Sequence, residues 1–235
     1  MKLASYQSTE GNSEDTEPSL RAVLDLLPGH VEARVNLAQM LRQRGERDGA
    51  RAQLKTLLDG ETDEPRAYLG LAFCDLDEGK MQEAVVLLQR AAGRAGRDSG
   101  LRAAVASTLI QIGRVDEARK ALEGAARSFP DDPMILNEVA WSLVDPVGSK
   151  AIHDAARALP LARRAVEITR RKDLAILDTL AVALFAHGEL EEAVKVQTEI
   201  VSKLKEGGHS SGGIPLSEAE AALVRYREAL DGAGR

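Results

Sequence analysis

Apolar residues recur at i, i+3, i+4 and i+7 along most of the chain, and glycines interrupt them at regular intervals. Three stretches superpose when written one above another: "VNLAQMLRQRGERDGARAQL" (35–54), "LGLAFCDLDEGKMQEAVVLL" (69–88) and "AAVASTLIQIGRVDEARKAL" (103–122). Each holds an alanine (Ala38, Ala72, Ala106), then a glycine (Gly45, Gly79, Gly113), a second alanine (Ala50, Ala84, Ala118) and a leucine (Leu54, Leu88, Leu122). Every step between columns is 34 residues, which makes this an internal repeat.

The apolar period on both sides of the glycine predicts two amphipathic helices per unit. Glycine ends the first helix because it adopts the left-handed cap conformation without a Cβ clash. Asp48, Gln82 and Asp116 fall near the start of the second helix, where the acidic ones suit the positive end of the dipole. The alanines stand where two antiparallel helices cross closely. A single pair cannot bury its apolar faces, so the units must stack.

The period, the Ala-Gly-Ala-Leu columns, Tyr68 early in a first helix and Pro130 between units together resemble the tetratricopeptide repeat family. The resemblance covers roughly residues 3–204. It implies an all-α, right-handed solenoid of antiparallel helix pairs, with repeats at about 31–64, 65–98, 99–132, 133–173 and 174–204. In that family the first helices line a concave face, an extended binding surface. The inward positions project onto Asn36, Gln39, Gln43, Leu69, Phe73, Leu76, Ser107, Ile110 and Gln111, then Met134, Asn137, Trp141, Val144, Asp178, Val182 and Phe185. Two of the three Phe and the one Trp of the chain fall in this set. Large apolar side chains in a contiguous exposed patch mark a binding surface. The lysine, asparagine and arginine clamp by which some members grip a C-terminal carboxylate is absent, since the corresponding positions are Val35, Gln39, Arg66, Gly70 and Gly100.

The period breaks in two places. Ala140 to Ala181 spans 41 residues, seven more than one repeat; the extra length lies in "VDPVGSKAIHDAARALP", with Pro160 expected in or near the first turn of the delayed helix. At the other end, Leu3, Ala4 and Gly11 precede Leu37, Ala38 and Gly45 by one period. The chain therefore opens partway through a first helix, residues 1–30 read as a partial repeat whose polar positions 7–18 fray, and a longer parent protein is expected. Residues 205–215 read as a Gly/Ser linker to a C-terminal helix, 216–231. That helix carries a capping box at Ser217 and Glu220 and an apolar face of Leu216, Ala219, Leu223, Tyr226 and Leu230. It packs on the last repeat as a cap or folds back into the groove.

Composition narrows the function. Net charge is −6, with 31 basic and 37 acidic residues, which disfavours a nucleic-acid partner. No run approaches the ~18 consecutive apolar residues of a membrane span, so no membrane insertion is expected and the compartment stays open. Cys74, the single cysteine, reads as a buried small hydrophobe. "GHSSG" (208–212) matches a G-x-S-x-G nucleophile elbow around Ser210, yet no strand precedes it and its composition is that of a spacer. His30, His153, His187 and His209 form no ligand spacing, so neither a metal nor a cofactor is expected. "RRAVEITRRK" pairs Arg163 with Arg170 and Arg164 with Arg171 on helix faces, a solvated face rather than a docking patch. The sequence thus predicts a non-enzymatic protein-interaction scaffold that binds a helical or extended segment of a partner. Self-assembly, or recruitment on behalf of an upstream catalytic domain, is the alternative.

Overall fold

The structure, a computed structural model, describes residues 13–59, 63–207 and 213–233. Among them are twelve α-helices and one 3-10 turn, with no strand. The chain divides into two compact units, Met1–Gly96 and Arg97–Arg235. The first holds α1 (Ser13–Leu26), α2 (Val31–Gln43), α3 (Arg47–Leu58), α4 (Pro65–Asp77) and α5 (Met81–Arg94). The second holds α6 (Ser99–Gln111), α7 (Val115–Ser128), α8 (Pro133–Ser142), α9 (Ala155–Thr169), α10 (Leu174–His187), α11 (Leu190–Lys205) and α12 (Leu216–Ala233). From α2 onward the helices run as five pairs followed by α12.

One turn joins four of the five pairs. Gly45, Gly79, Gly113 and Gly188 have φ of +83°, +74°, +76° and +90°. The next N–H reaches back five residues to close the first helix: Glu46 to the Leu41 carbonyl at 2.9 Å, Lys80 to Asp75 at 2.9 Å, Arg114 to Leu109 at 2.7 Å and Glu189 to Leu184 at 2.9 Å. A side chain at these positions would cost about 1–2 kcal/mol. First helices start on a side-chain cap. Asp98 accepts from Leu101 N–H at 2.9 Å, Asp132 from Met134 at 3.1 Å and Asp173 from Ala175 at 2.9 Å.

The α8–α9 link has no glycine turn. Its added residues fold around Asp145, whose Oδ1 accepts from Val147 N–H at 2.9 Å and whose carbonyl lies 2.8 Å from His153 Nε2. Leu143 and Ile152 point inward at 0 % and 3 % exposure. Asp154 caps α9 by accepting from Arg157 N–H at 3.1 Å, which starts the helix at Ala155. Pro160 is therefore an interior residue of α9, exposed to solvent, rather than a first-turn residue. Its ring forgoes one intrahelical bond on the outer side of the helix.

In the first unit the core gathers Leu37, Leu41, Leu54, Leu57, Leu71 and Cys74 around the alanine columns. Ala50 and Ala84, like Ala118 and Ala193 in the second unit, are 0 % exposed, the close approach that the columns require. Asp75 interrupts an otherwise apolar column of Leu41, Leu109, Leu143 and Leu184. It is buried, and Arg51 of α3 neutralises it at 2.7 Å while also meeting Glu78 at 3.0 Å. Removing one partner of such a pair costs about 3–5 kcal/mol.

Three further expectations are corrected. Residues 13–18 are helical, as the opening of α1, and Pro18 lies within that helix. Thr169 ends α9, so Arg170 and Arg171 occupy a left-handed turn (φ +51° and +60°) and share no helix face with Arg163 and Arg164. The capping box at Ser217 does not form, because α12 already begins at Leu216 and the Pro215 carbonyl accepts from Ala219 N–H at 3.1 Å. Glu220 instead meets Lys205 of α11 at 2.8 Å. Positions 1–12, with Leu3, Ala4 and Gly11 of the partial repeat, lie outside the described residues.

Candidate functional site

In the first unit, Asn36, Gln39 and Gln43 on α2 are exposed, and Leu69, Phe73 and Leu76 on α4 are half-buried. The guanidinium of Arg42 lies 5.2 Å from the centre of the Phe73 ring and bridges to Asp77 at 2.9 Å. The result is an aromatic surface under a cation, with amides beside it: a place for an apolar side chain next to backbone hydrogen-bonding groups. Arg42 was missed by sequence reading, because it belongs to the last turn of α2, where a basic residue already has a role against the helix dipole.

In the second unit, Ser107 and Gln111 are exposed and Ile110 is half-buried on α6. Gln111 Nε2 donates to Ser107 Oγ at 3.3 Å. On α8, Met134 is 60 % exposed, whereas Asn137 and Trp141 are half-buried. The Asn137 Oδ1 atom is shielded from solvent and has no hydrogen-bond partner among the described residues. Val144 does not join this face. Helix α8 ends at Ser142, the chain turns inward, and Val144 is 4 % exposed.

On α10, Asp178, Val182 and Phe185 are half-buried, and Phe185 meets α12. Tyr226 stacks on Phe185 with ring centroids 4.4 Å apart and 19° between planes. Arg225 covers both rings, at 5.8 Å and 5.3 Å. Burial pushes the Asp178 carboxyl up to about 6; Glu218 adds to the rise and Arg225 opposes it. The main seat of α12 is α11, and Ala219, Leu223 and Tyr226 are its buried residues. The cap and the covered face are thus one arrangement, since a helix laid on α11 also reaches the end of α10.

Other candidate chemistry disperses. His30 caps α2 through Nδ1, His187 faces Glu189 at 3.2 Å, and no group of three or more His, Cys, Asp or Glu among the described residues could hold a metal. Cys74 is 0 % exposed, and burial pushes its thiol up, away from nucleophilic use. Ser210 and His209 lie outside the described residues. Arg163 pairs with Glu189 at 2.6 Å and Glu192 at 2.7 Å, Arg164 with Asp131 at 2.7 Å, and Arg171 with Glu199 at 2.6 Å. A basin of about 490 Å³ is lined by Arg170, Arg171, Lys172 and Lys203 among others. These cations sit at the C-terminal ends of α9 and α11, and Lys203 Nζ donates to the Arg171 carbonyl at 2.7 Å, so helix ends account for them.

The profile of the tetratricopeptide repeat matches residues 9–74 and 75–139. The chain belongs to the tetratricopeptide repeat family. It is 30 % identical over 194 residues to cellulose synthase operon protein C of Xanthomonas axonopodis pv. citri, across 77 % of this chain. It is also 30 % identical over 112 residues to the Arabidopsis thaliana CTR9 homolog, across 47 % of this chain. The match spans only 12 % and 10 % of the length of these two relatives. Among solved structures, yeast Tom70 superposes with a TM-score of 0.54 at 16 % identity, over 93 % of this chain and 45 % of that one, a likeness of fold alone. The tetratricopeptide fold is that of a protein-interaction scaffold. No described helix is long and apolar enough to cross a membrane.

Proposed function

We propose that this tetratricopeptide repeat chain is a non-catalytic scaffold whose first-helix face takes an apolar helical or extended segment of a partner protein. The observation that carries the reading is the character of that face on α4. Phe73 stands half-buried under Arg42, with Leu69 and Leu76 on its own helix and the exposed amides of Asn36 and Gln39 on α2. The second unit offers a similar set in Ile110 and Trp141, with the exposed Gln111 and Met134 on the same two helices. Buried aromatic anchors flanked by polar groups give most of the affinity in such interfaces.

The test is affinity capture from native lysate with the wild-type chain and with Phe73→Ala/Trp141→Ala, followed by titration of the captured protein's segment. The expected result is at least a tenfold loss of affinity with the helical signal unchanged. Equal affinity would move the site off this face. Leu26 and Leu27, at 81 % and 59 % exposure at the end of α1, favour a second reading, self-assembly through the first unit. A mass independent of concentration in sedimentation removes it.

A further inference from the structure

Nine positions after the turn glycine, the second helices carry leucine: Leu54, Leu88 and Leu122, each at most 2 % exposed. Leu54 faces the helix that follows its pair, so closely that a Cβ on Gly70 of α4 would lie 2.9 Å from its Cδ1. In the last pair the same column holds Gln197 of α11, which is 0 % exposed and faces α12. Its Nε2 donates to the Ala219 carbonyl at 3.0 Å, and its Oε1 has no hydrogen-bond partner among the described residues. The position that is apolar in the internal repeats is thus a half-satisfied amide under α12, and an unpaired buried acceptor weakens a contact.

The charges of α12 add to this: burial and Glu218 disfavour ionisation of the half-buried Asp178 on α10, whereas Arg225 favours it. Against these stands one large apolar anchor, Tyr226, 1 % exposed and stacked on Phe185.

We propose that α12 is a releasable cover of the last repeat, opening from α10 and α11 as a unit while the helix pairs stay folded, and thereby freeing Phe185 and Asp178 for a partner helix. Release is a property of the chain alone. Its use in partner binding rests on the first-helix face being the ligand site. The helix that fits the vacated seat has the chemistry of α12 itself: a small residue, then an apolar one four positions on, then an arginine and an aromatic ring six and seven positions on.

Hydrogen exchange on the full chain tests release without any ligand. Amides of residues 219–230 are expected to exchange at least a hundredfold faster than those of residues 193–201 in α11. Gln197→Leu should slow α12 at least tenfold, and Tyr226→Ala should abolish its protection, with α11 protected in both variants. Equal protection of α12 and α11 in the wild type, or an α12 rate unmoved by Gln197→Leu, overturns the proposal. A labelled peptide of residues 214–233 then probes the seat. Saturable binding to the Tyr226→Ala chain and at least tenfold weaker binding to Gln197→Leu support a seat that accepts a helix in trans. No binding to the opened Tyr226→Ala chain overturns that part. Should release hold while Phe73→Ala/Trp141→Ala still binds the partner, the first-helix reading fails and the releasable cover stands.

Discussion

Phe73 and Phe185 project from first helices of the same family of pairs, both half-buried, yet they meet different neighbours. Over Phe73 lies Arg42, a side chain of the adjacent first helix, tethered to Asp77. Over Phe185 lies a whole helix, which contributes a stacked Tyr226 and Arg225. A cation held on a flexible stem moves aside for a ligand at small cost, whereas a helix must be displaced. The same kind of position therefore offers open surface in the first unit and a covered one at the chain's last pair.

The largest effect expected from breaking this contrast is at the covering helix. Tyr226→Ala should cost the docking of α12 about 3–5 kcal/mol, as for other buried aromatics, while Phe73→Ala costs about 1–2 kcal/mol because its ring is already half-hydrated. Denaturant unfolding of the two variants would show the gap; equal losses would place Phe73 in the core.

Next in size is a pH effect on the covered side. The Asp178 carboxyl is raised from the ordinary 3.8 to about 6, so the folded form binds the extra proton between those values. Stability of the covered state should then rise as the pH falls from about 7 to about 4, and the penalty is complete above about 6. With one pKa unit equal to about 1.4 kcal/mol, the whole change is at most about 3 kcal/mol. Asp178→Asn should flatten this profile, read from α12 exchange at several pH values, and a profile unchanged by the substitution would sever Asp178 from the contact. The smallest effect belongs to the open side. Arg42→Met removes a cation–π contact and a surface ion pair, about 0.5–1 kcal/mol together, and should leave α12 protection untouched.

Much of the repeat was legible because it is written in one dimension. The glycine column identified three of the four glycine turns, the alanine columns identified the tight crossings, and the step of 41 marked the one link that abandons the glycine turn. The departures were legible only in part. Asp75 and Gln197 occupy leucine columns, and the sequence shows the mismatch without showing that Arg51 compensates one while a backbone carbonyl half-compensates the other. Pro160 was misplaced because the helix start depends on the Asp154 cap and on how the inserted residues fold, neither of which has a period. On the candidate face, Val144 carried the right spacing but lies past the end of α8.

What the sequence determined by itself was the helical repeat, the pairing of neighbouring helices and a list of candidate side chains for the first-helix face. Each follows from local periodicity and from the few residues that tolerate a left-handed turn. What only the tertiary structure decided was which of those side chains remain available. That depends on contacts between residues far apart in the chain, Arg42 on Phe73 and Tyr226 on Phe185. Burial is a property of packed neighbours, and no pattern along a single helix specifies what another helix will lay upon it.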